Sequence, residues 1–474
     1  MIKLDEIEDL ELPQIKKFYS DHVSIGIPKI LGMLGFDKEA PESAEGMYIY
    51  TKSGRKIYDF TGGISVLNLG HNHPRILKCR REFNKNKRME VWKLFLSPYL
   101  GVLSKNLSEI SPGDLNYPFF CNSGAEANEG AIKIATKYQG SNKDKIVYTD
   151  ISYHGKTHAT LSVSGIEESK KYFKQLDGCI QISYGDWQSF ENVIKEQCQN
   201  DTSQNDIIAI ILEAVSAGTI MVPPKGYLKN IRRLCDENDI LLIIDDIFCG
   251  FGRTGKMFSF EHENVIPDIF TVSKSLGGGK GSIAAYIARE HIYKKAYGDI
   301  KNYMMHSTTF NGLGEECYTA IEAINVIIEE HLVYNSNIMG EYLRSELNKL
   351  KSKYPKIIKN VRGIGLMNGI ELKNPSEKII SALGAGISFF KDMGQGILPG
   401  IVLSQLFHQY NILASGGSHA RNLISINPSL IVTKKDIDYL IQSLDDYFSK
   451  GFVGMYSSYG KMRFSSGVKS IYSG

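Results

Sequence analysis

The chain has 474 residues, 42% hydrophobic and 23% charged, so it is neither a short recognition module nor a disordered segment. Lys+Arg 55 against Asp+Glu 52 leaves a net charge of +3, too weak a field to gather nucleic acid or an anionic membrane surface. At roughly 100–200 residues per domain the length predicts two or three domains with large cores.

The N-terminal run MIKLDEIEDLELPQIKKF alternates acidic and apolar residues and lacks the apolar core of a secretory signal. Up to about His73 the sequence is rich in turns and aromatics, with Asp59-Phe60-Thr61-Gly62-Gly63 as a tight segment. The basic runs Lys78–Arg81 and Lys85–Arg88 read as solvated helix faces rather than binding patches. From about Tyr117 short apolar runs alternate with helical periodicity. Pro118–Cys121, Lys145–Tyr148, Ile180–Ser183, Ile207–Leu212, Ile240–Ile244 and Ile269–Val272 read as strands. Between them, Ala131, Ile132, Ala135 and Tyr138, and then Leu228, Ile231, Leu234 and Cys235, recur at helical spacing. After about Lys349 come strand-like runs at Ile364–Leu372 and Leu423–Ile426, then a helix over Asp436–Phe448. The apolar stretch Ile379–Leu403 is interrupted by Lys391, Asp392, Gln395 and Pro399 and does not read as a membrane span. The glycine-rich length Ile379–Ser418 could shape a substrate entrance.

Strands of near-continuous Ile, Leu and Val separated by helices predict an α/β fold with a mostly parallel central sheet covered on both faces. The division expected is a large unit over 74–348 and a smaller α+β unit built from 1–73 and 349–450. A loosely ordered tail over 451–474, rich in Ser, Gly and Tyr, follows. The cysteines, Cys79, Cys121, Cys179, Cys198, Cys235, Cys249 and Cys317, form no Cys-x-x-Cys pair, which predicts a reducing cytoplasmic setting and no structural zinc.

In open α/β sheets ligands bind beyond the carboxyl ends of the strands, and three residue groups stand at such ends. Asn122-Ser123-Gly124-Ala125 opens a helix, where small residues and the helix dipole suit an anion, although a plain strand-to-helix turn explains it equally. Asp245-Asp246 follows a buried strand and needs a partner, which a cap or a salt bridge would also supply. Lys274 precedes Leu276-Gly277-Gly278-Gly279; a half-buried lysine loses proton affinity and becomes a candidate amine nucleophile, where a surface lysine is the plainer reading. Together, a phosphate cradle, a carboxylate and an amine match pyridoxal 5′-phosphate, with its phosphate, its pyridine nitrogen and its aldehyde.

The runs CNSGAEANEGAIK from Cys121, YHGKTHATLSVSG from Tyr153, IIDDIFCGFGRTGKMFSFEH from Ile243, SKSLGGG from Ser273 and HSTTFNG from His306 resemble the class III, fold-type I aminotransferases. The resemblance spans Tyr58 to Phe448. Its wording, as in PPKGYLKNIRRLCDE, is nearest to putrescine and other ω-amine transaminases. It implies a pyridoxal-phosphate enzyme in which Lys274 is the Schiff-base lysine and proton shuttle, and Asp245 keeps the pyridine nitrogen protonated. Tyr153 would stack on one ring face and Ile247 on the other, Ser123, Gly124 and Ala125 would bind the phosphate, and Glu213 would form part of the site wall. Thr309 would reach the phosphate across a homodimer interface. His154, His158 and His306 are expected to be structural, since their spacing fits no zinc pattern. Arg253 is expected to organise its loop, and Glu126 and Glu129 to favour the N-terminus of their helix.

The sequence departs from the family at three places. Gly218 stands where many members carry a glutamate that gates an arginine. Phe248 replaces a glutamine that bonds the cofactor's phenolic oxygen. Ser425, ahead of Pro428-Ser429-Leu430, replaces the arginine that grips an α-carboxylate, with Arg421 four positions earlier as a substitute to be weighed. A serine cannot replace a bidentate arginine. The expectation is an aminotransferase with an atypical substrate pair, a primary amine, ω-amino compound or modified amino acid and a carbonyl acceptor, either free or carrier-tethered. A racemase, epimerase or decarboxylase on the same scaffold competes with it, as does an inactive regulatory cofactor-binding protein.

Overall fold

Three short antiparallel strands, β1 (Pro41–Glu45), β2 (Tyr48–Thr51) and β3 (Lys56–Asp59), begin the sheet structure of the chain. The computed structural model describes residues 1–198, 205–374 and 397–465, with the backbone alone for 397 and 461–465. The apolar runs that follow form one seven-stranded sheet. It contains β4 (Leu115–Cys121), β5 (Lys145–Thr149), β6 (Cys179–Ile182), β7 (Ile207–Leu212), β8 (Leu241–Asp245), β9 (Ile269–Val272) and β10 (Ala284–Arg289). The order is β4-β10-β9-β8-β7-β5-β6. All neighbours pair in parallel except β10, which runs antiparallel to both β4 and β9.

Every residue of β7, β8 and β9 is buried, because helices cover both faces of the sheet. Each Ile or Leu so enclosed contributes roughly 1.5–3 kcal/mol relative to exposure, which makes these central strands the rigid floor of whatever stands at their ends. The helix Gly124–Gln139 lays Ala127, Ala131, Ile134 and Ala135 against this sheet and starts at Ser123, whose Oγ accepts from Glu126 N. Sequence periodicity places six of the seven strands, with ends within one residue except at β4, which begins three residues earlier than expected. It misses β10, whose alanines carry little strand preference.

Past a long helix, Leu332–Lys353, the chain makes β11 (Ile358–Ile364), β12 (Met367–Leu372), β13 (Ile412–Leu413), β14 (Ser415–Gly416) and β15 (Leu423–Ile426). The sequence reading takes Ile364–Leu372 as one strand. The structure breaks it into a hairpin at Gly365, whose φ of +53° and contact with the Thr254 backbone leave no place for a side chain. β11, β12, β15 and β14 form a second sheet, while β13 pairs in parallel with β3 and so ties the two ends of the chain together. The helix Lys434–Ser449 is capped by Thr433 with Asp436.

The tail beyond Gly451 is not loose at its start: Gly451–Ser465 is helical, and Met455, Tyr456 and Tyr459 are buried, because aromatic residues spaced along the run give it a packing face. Most of the apolar stretch from Ile379 lies outside the described residues, and its end belongs to the 14-residue helix Ile397–Tyr410. Among the described residues no helix is long and apolar enough to cross a membrane.

Candidate active site

The carboxyl ends of β4, β5, β7, β8 and β9 share one edge of the sheet. Ser123, Gly124, Ala125, Tyr153, Glu213, Asp245, Ile247 and Lys274 all follow one of those ends.

Asp245 closes β8 and is buried. Its Oδ2 accepts from Asn128 Nδ2 at 2.8 Å and lies 2.7 Å from His154 Nδ1, while Oδ1 accepts from Ile247 N at 3.1 Å. Asn128 is itself fixed, donating to His154 O and accepting from Thr271 Oγ1 at 2.7 Å. His154 N donates to Ser164 Oγ at 2.9 Å. The carboxylate therefore cannot rotate without breaking bonds on three sides, and it is oriented before any ligand arrives. His154 is structural in the sense expected, through this contact with Asp245. Asn128 and Thr271 were missed. Asn128 could have been found as a polar residue one helical turn beyond Gly124, on a face otherwise lined with alanine and isoleucine.

Lys274 begins a short helical turn after β9 with φ +49°, a left-handed conformation uncommon outside glycine. Its Nζ lies 4.5 Å from the centre of the Phe248 ring. Burial pushes its pKa below the usual lysine value, and the nearby Asp245 and Glu213 carboxylates pull it partly back. An amine held in this balance is easily switched between proton donor and acceptor.

Glu213 ends β7 fully enclosed. It accepts from Tyr153 N at 3.2 Å and Ala217 N at 3.0 Å, and burial followed by repulsion from Asp245 pushes it up to about 8. Asp246, on the opposite side of the strand tip, is held by Ser259 and pushed up to about 7 by burial. It caps the Ser259–Glu263 turn rather than facing Lys274.

The start of the Gly124–Gln139 helix offers the N–H groups of Gly124 and Ala125, which no preceding carbonyl satisfies. Gly124 also leaves room for Ile247: a Cβ there would lie 2.7 Å from Ile247 Cδ1. Glu126 stays at this end, accepting from Asn122 N and Ser123 Oγ, each at 3.0 Å. Glu129 does not act on its own helix terminus as expected. It reaches across to accept from Thr157 Oγ1 and Ala159 N, at the head of His158–Ser162. His306 packs on Phe119 and Tyr286, and among the described residues no cluster of His, Cys, Asp and Glu could hold a metal ion. Thr309 is exposed.

Arg253 is fully buried, and among the described residues no carboxylate hydrogen-bonds to it. Its Nε donates to Ser65 Oγ at 3.1 Å, Nη1 to Leu366 O at 3.0 Å and to Pro428 O, and Nη2 to Asn68 Oδ1 at 2.6 Å. It organises more than its loop, since its partners come from both ends of the chain. Burial pushes its pKa down to about 9.

The family described as Aminotransferase class-III matches residues 38–448. The chain belongs to the class III aminotransferases. It is 32% identical over 400 residues to a putrescine aminotransferase of Pectobacterium atrosepticum, covering 84% of this chain and 79% of that one. The fold superposes on a transaminase from the marine bacterium Virgibacillus with a TM-score of 0.77 at 25% identity, over 90% of this chain and 94% of the other. An ornithine aminotransferase of Toxoplasma gondii, whose active site holds pyridoxal phosphate at partial occupancy, gives 0.74 at 25% identity, over 90% and 92%. The class III aminotransferases depend on pyridoxal phosphate, and this chain is an enzyme of that type. Amino-group transfer is thereby favoured over racemisation, decarboxylation or a regulatory role.

The residues present fit the cofactor. A fixed, buried carboxylate, a strained half-buried lysine and the open N–H groups of a helix start stand at neighbouring strand ends, and the buried Nε2 of His154, beside Asp245, has no hydrogen-bond partner among the described residues.

Proposed function

We propose that this aminotransferase takes its amino group from a primary amine of the ω-amine type and passes it to a carbonyl acceptor through a site that does not grip an α-carboxylate. One observation carries the reading. Ser425, in the arginine's place, is buried on β15 and accepts from Asn427 Nδ2 at 2.7 Å, while Arg421 is exposed and pairs with Glu168 at 3.4 Å. Neither side chain can offer a bidentate fork to a carboxylate at the reacting carbon. The wall around them is apolar: Val215, Ile220, Cys249, Met367 and Leu423 pack together with Phe248 at their margin.

When bound, pyridoxal phosphate supplies an electrophilic carbonyl and an electron-withdrawing ring that ease proton loss from the amine-bearing carbon. In this reading Asp245, braced by His154 and Asn128, would hold the proton at the pyridine nitrogen. Lys274 Nζ would take up the proton released from substrate carbon and return it. Tyr153 and Ile247 would flank the ring, Glu213 would back the site wall, and Ser123, Gly124 and Ala125 would bind the phosphate. The test is a panel of amines and amino acids without acceptor, following the cofactor's conversion to its amine form by absorbance. Putrescine-like amines are expected to convert it and glutamate is not; normal glutamate conversion would overturn the reading.

We read the working unit as a cytoplasmic homodimer, with Thr309 serving the partner's site. Exposed apolar side chains support this: Leu94, Phe95 and Leu96 in one segment and Tyr303, Met304, Met305 and Phe310 in another, joined by Lys93 Nζ donating to Thr308 O at 2.7 Å. The cysteines, all free thiols, suit a reducing compartment. The division into 74–348 and a unit made of 1–73 with 349–450 is supported by the β3–β13 pairing. Light scattering giving one chain per particle would overturn the dimer.

A further inference from the structure

The loop after Glu213 returns on itself, with Ser216 N donating to Met221 O at 3.0 Å, and Gly218 stands at its turn. Gly218 has no room for a side chain, because the space is filled by an imidazole. A Cβ there would lie 2.0 Å from His419 Nδ1 and 2.9 Å from Ser418 Oγ. His419 N donates to Gly218 O at 3.1 Å, and Leu423 N donates to Ala420 O at 3.1 Å, so the loop carrying His419 is tied to the wall at one side and to β15 at the other. The imidazole ring also neighbours Tyr153, with centroids 6.4 Å apart and planes at 68°. Tyr153 N and Ala217 N both donate to Glu213, so His419 is seated against backbone fixed by the buried acid.

One nitrogen of this ring is used and the other is not. Nδ1 lies 3.1 Å from Ser418 Oγ, whereas Nε2 is buried and has no hydrogen-bond partner among the described residues. With the proton on Nδ1 donated to Ser418, Nε2 presents a lone pair. Burial keeps the ring's pKa below the usual histidine value, which favours a neutral imidazole over the cation. A buried acceptor left unpaired is costly, and a ligand that donates to it recovers the loss. The nearby cation in the same loop, Arg421, is exposed and paired with Glu168.

We propose that His419 is a specificity-determining residue whose Nε2 accepts a hydrogen bond from the far ammonium of a diamine donor while the near amine reacts at Lys274. This rests on the amine-donor reading above and narrows it from primary amines to diamines.

The test compares the holoenzyme with H419L, H419N and H419Q. Half-reaction kcat/KM is measured for 1,4-diaminobutane and for pentylamine, and calorimetry follows binding of the unreactive N,N,N′,N′-tetramethyl-1,4-diaminobutane. A hydrogen bond to a charged group predicts that H419L and H419N lower the diamine-to-pentylamine ratio about tenfold or more, through KM rather than kcat. They weaken the unreactive diamine to a similar degree. H419Q, whose amide oxygen can stand where Nε2 was, recovers most of both. Cofactor content and thermal midpoint report folding; if H419L does not fold, the polar and shorter H419N carries the comparison. An unchanged ratio in H419L or H419N overturns the proposal. A wild type that converts pentylamine as readily as the diamine overturns it while leaving the primary-amine reading standing. A wild type that converts neither amine overturns that reading, and this one with it.

Discussion

His154 Nδ1 lies 2.7 Å from Asp245 Oδ2, and both side chains are buried. The histidine serves the carboxylate, and Asn128 serves the same oxygen from the helix above. Replacing Asp245 with Asn removes the charge that keeps a pyridine nitrogen protonated, and the amine half-reaction should slow roughly 100-fold or more. H154F leaves the carboxylate in place but unbraced and should cost roughly tenfold. Stopped-flow absorbance checks both; equal losses would mean that His154 touches the chemistry directly.

Glu213 and Asp246 predict an unusual pH dependence for the cofactor-free chain. Their folded-state values, about 8 and about 7, lie above the ordinary carboxyl values of 4.5 and 3.8, so the folded state holds protons that the unfolded state has released. The stability they contribute is fully present below the unfolded values, falls as pH rises above them, and is gone once pH has passed through the folded values of about 7 and about 8. The loss per group approaches roughly 1.4 kcal/mol per pH unit between its unfolded and folded values and levels off above the folded one. Urea unfolding from pH 5 to 8.5 should show it, and E213Q should be flatter; parallel curves would contradict the assignment.

Arg253 should be among the most sensitive structural positions. R253K cannot reach Ser65, Asn68, Leu366 and Pro428 together, since an ammonium lacks the planar fork. The acceptors left unpaired are buried, and a loss of about 3–5 kcal/mol is expected, read from the thermal midpoint and urea curves.

Arg421 should be silent. Its contact with Glu168 is long and exposed, and such pairs contribute about 0–1 kcal/mol. R421A is expected to leave amine selectivity within about twofold of wild type and stability within about 0.5 kcal/mol. A gain or loss of carboxylate substrates in R421A would show that the side chain swings inward.

The sequence made much of this legible because burial on both faces demands unbroken apolar runs, so β7, β8 and β9 stand out, and so do Glu213, Asp245 and Lys274 immediately past them. β10 was not legible, since alanines lying between two strands carry no periodic signal. His419 was hidden for a different reason. Its meaning depends on Gly218, distant along the chain, and only the fold reveals that the missing side chain of one residue is the seat of the other. Glu129 likewise looks like a helix-start acid until Thr157 is seen beside it.

The buried guanidinium of Arg253 also orders events in time. Its acceptor Pro428 lies 175 residues downstream. At roughly 5–20 residues per second of synthesis, the nascent chain waits about 9 to 35 s between making the cation and making its last carbonyl. During that interval the central sheet can form around β7, β8 and β9, but the pocket for Arg253 stays open to water on one side. The pocket cannot close until Pro428 has been translated, so a product cut short before β15 would leave the Arg253 guanidinium without one of its carbonyl acceptors.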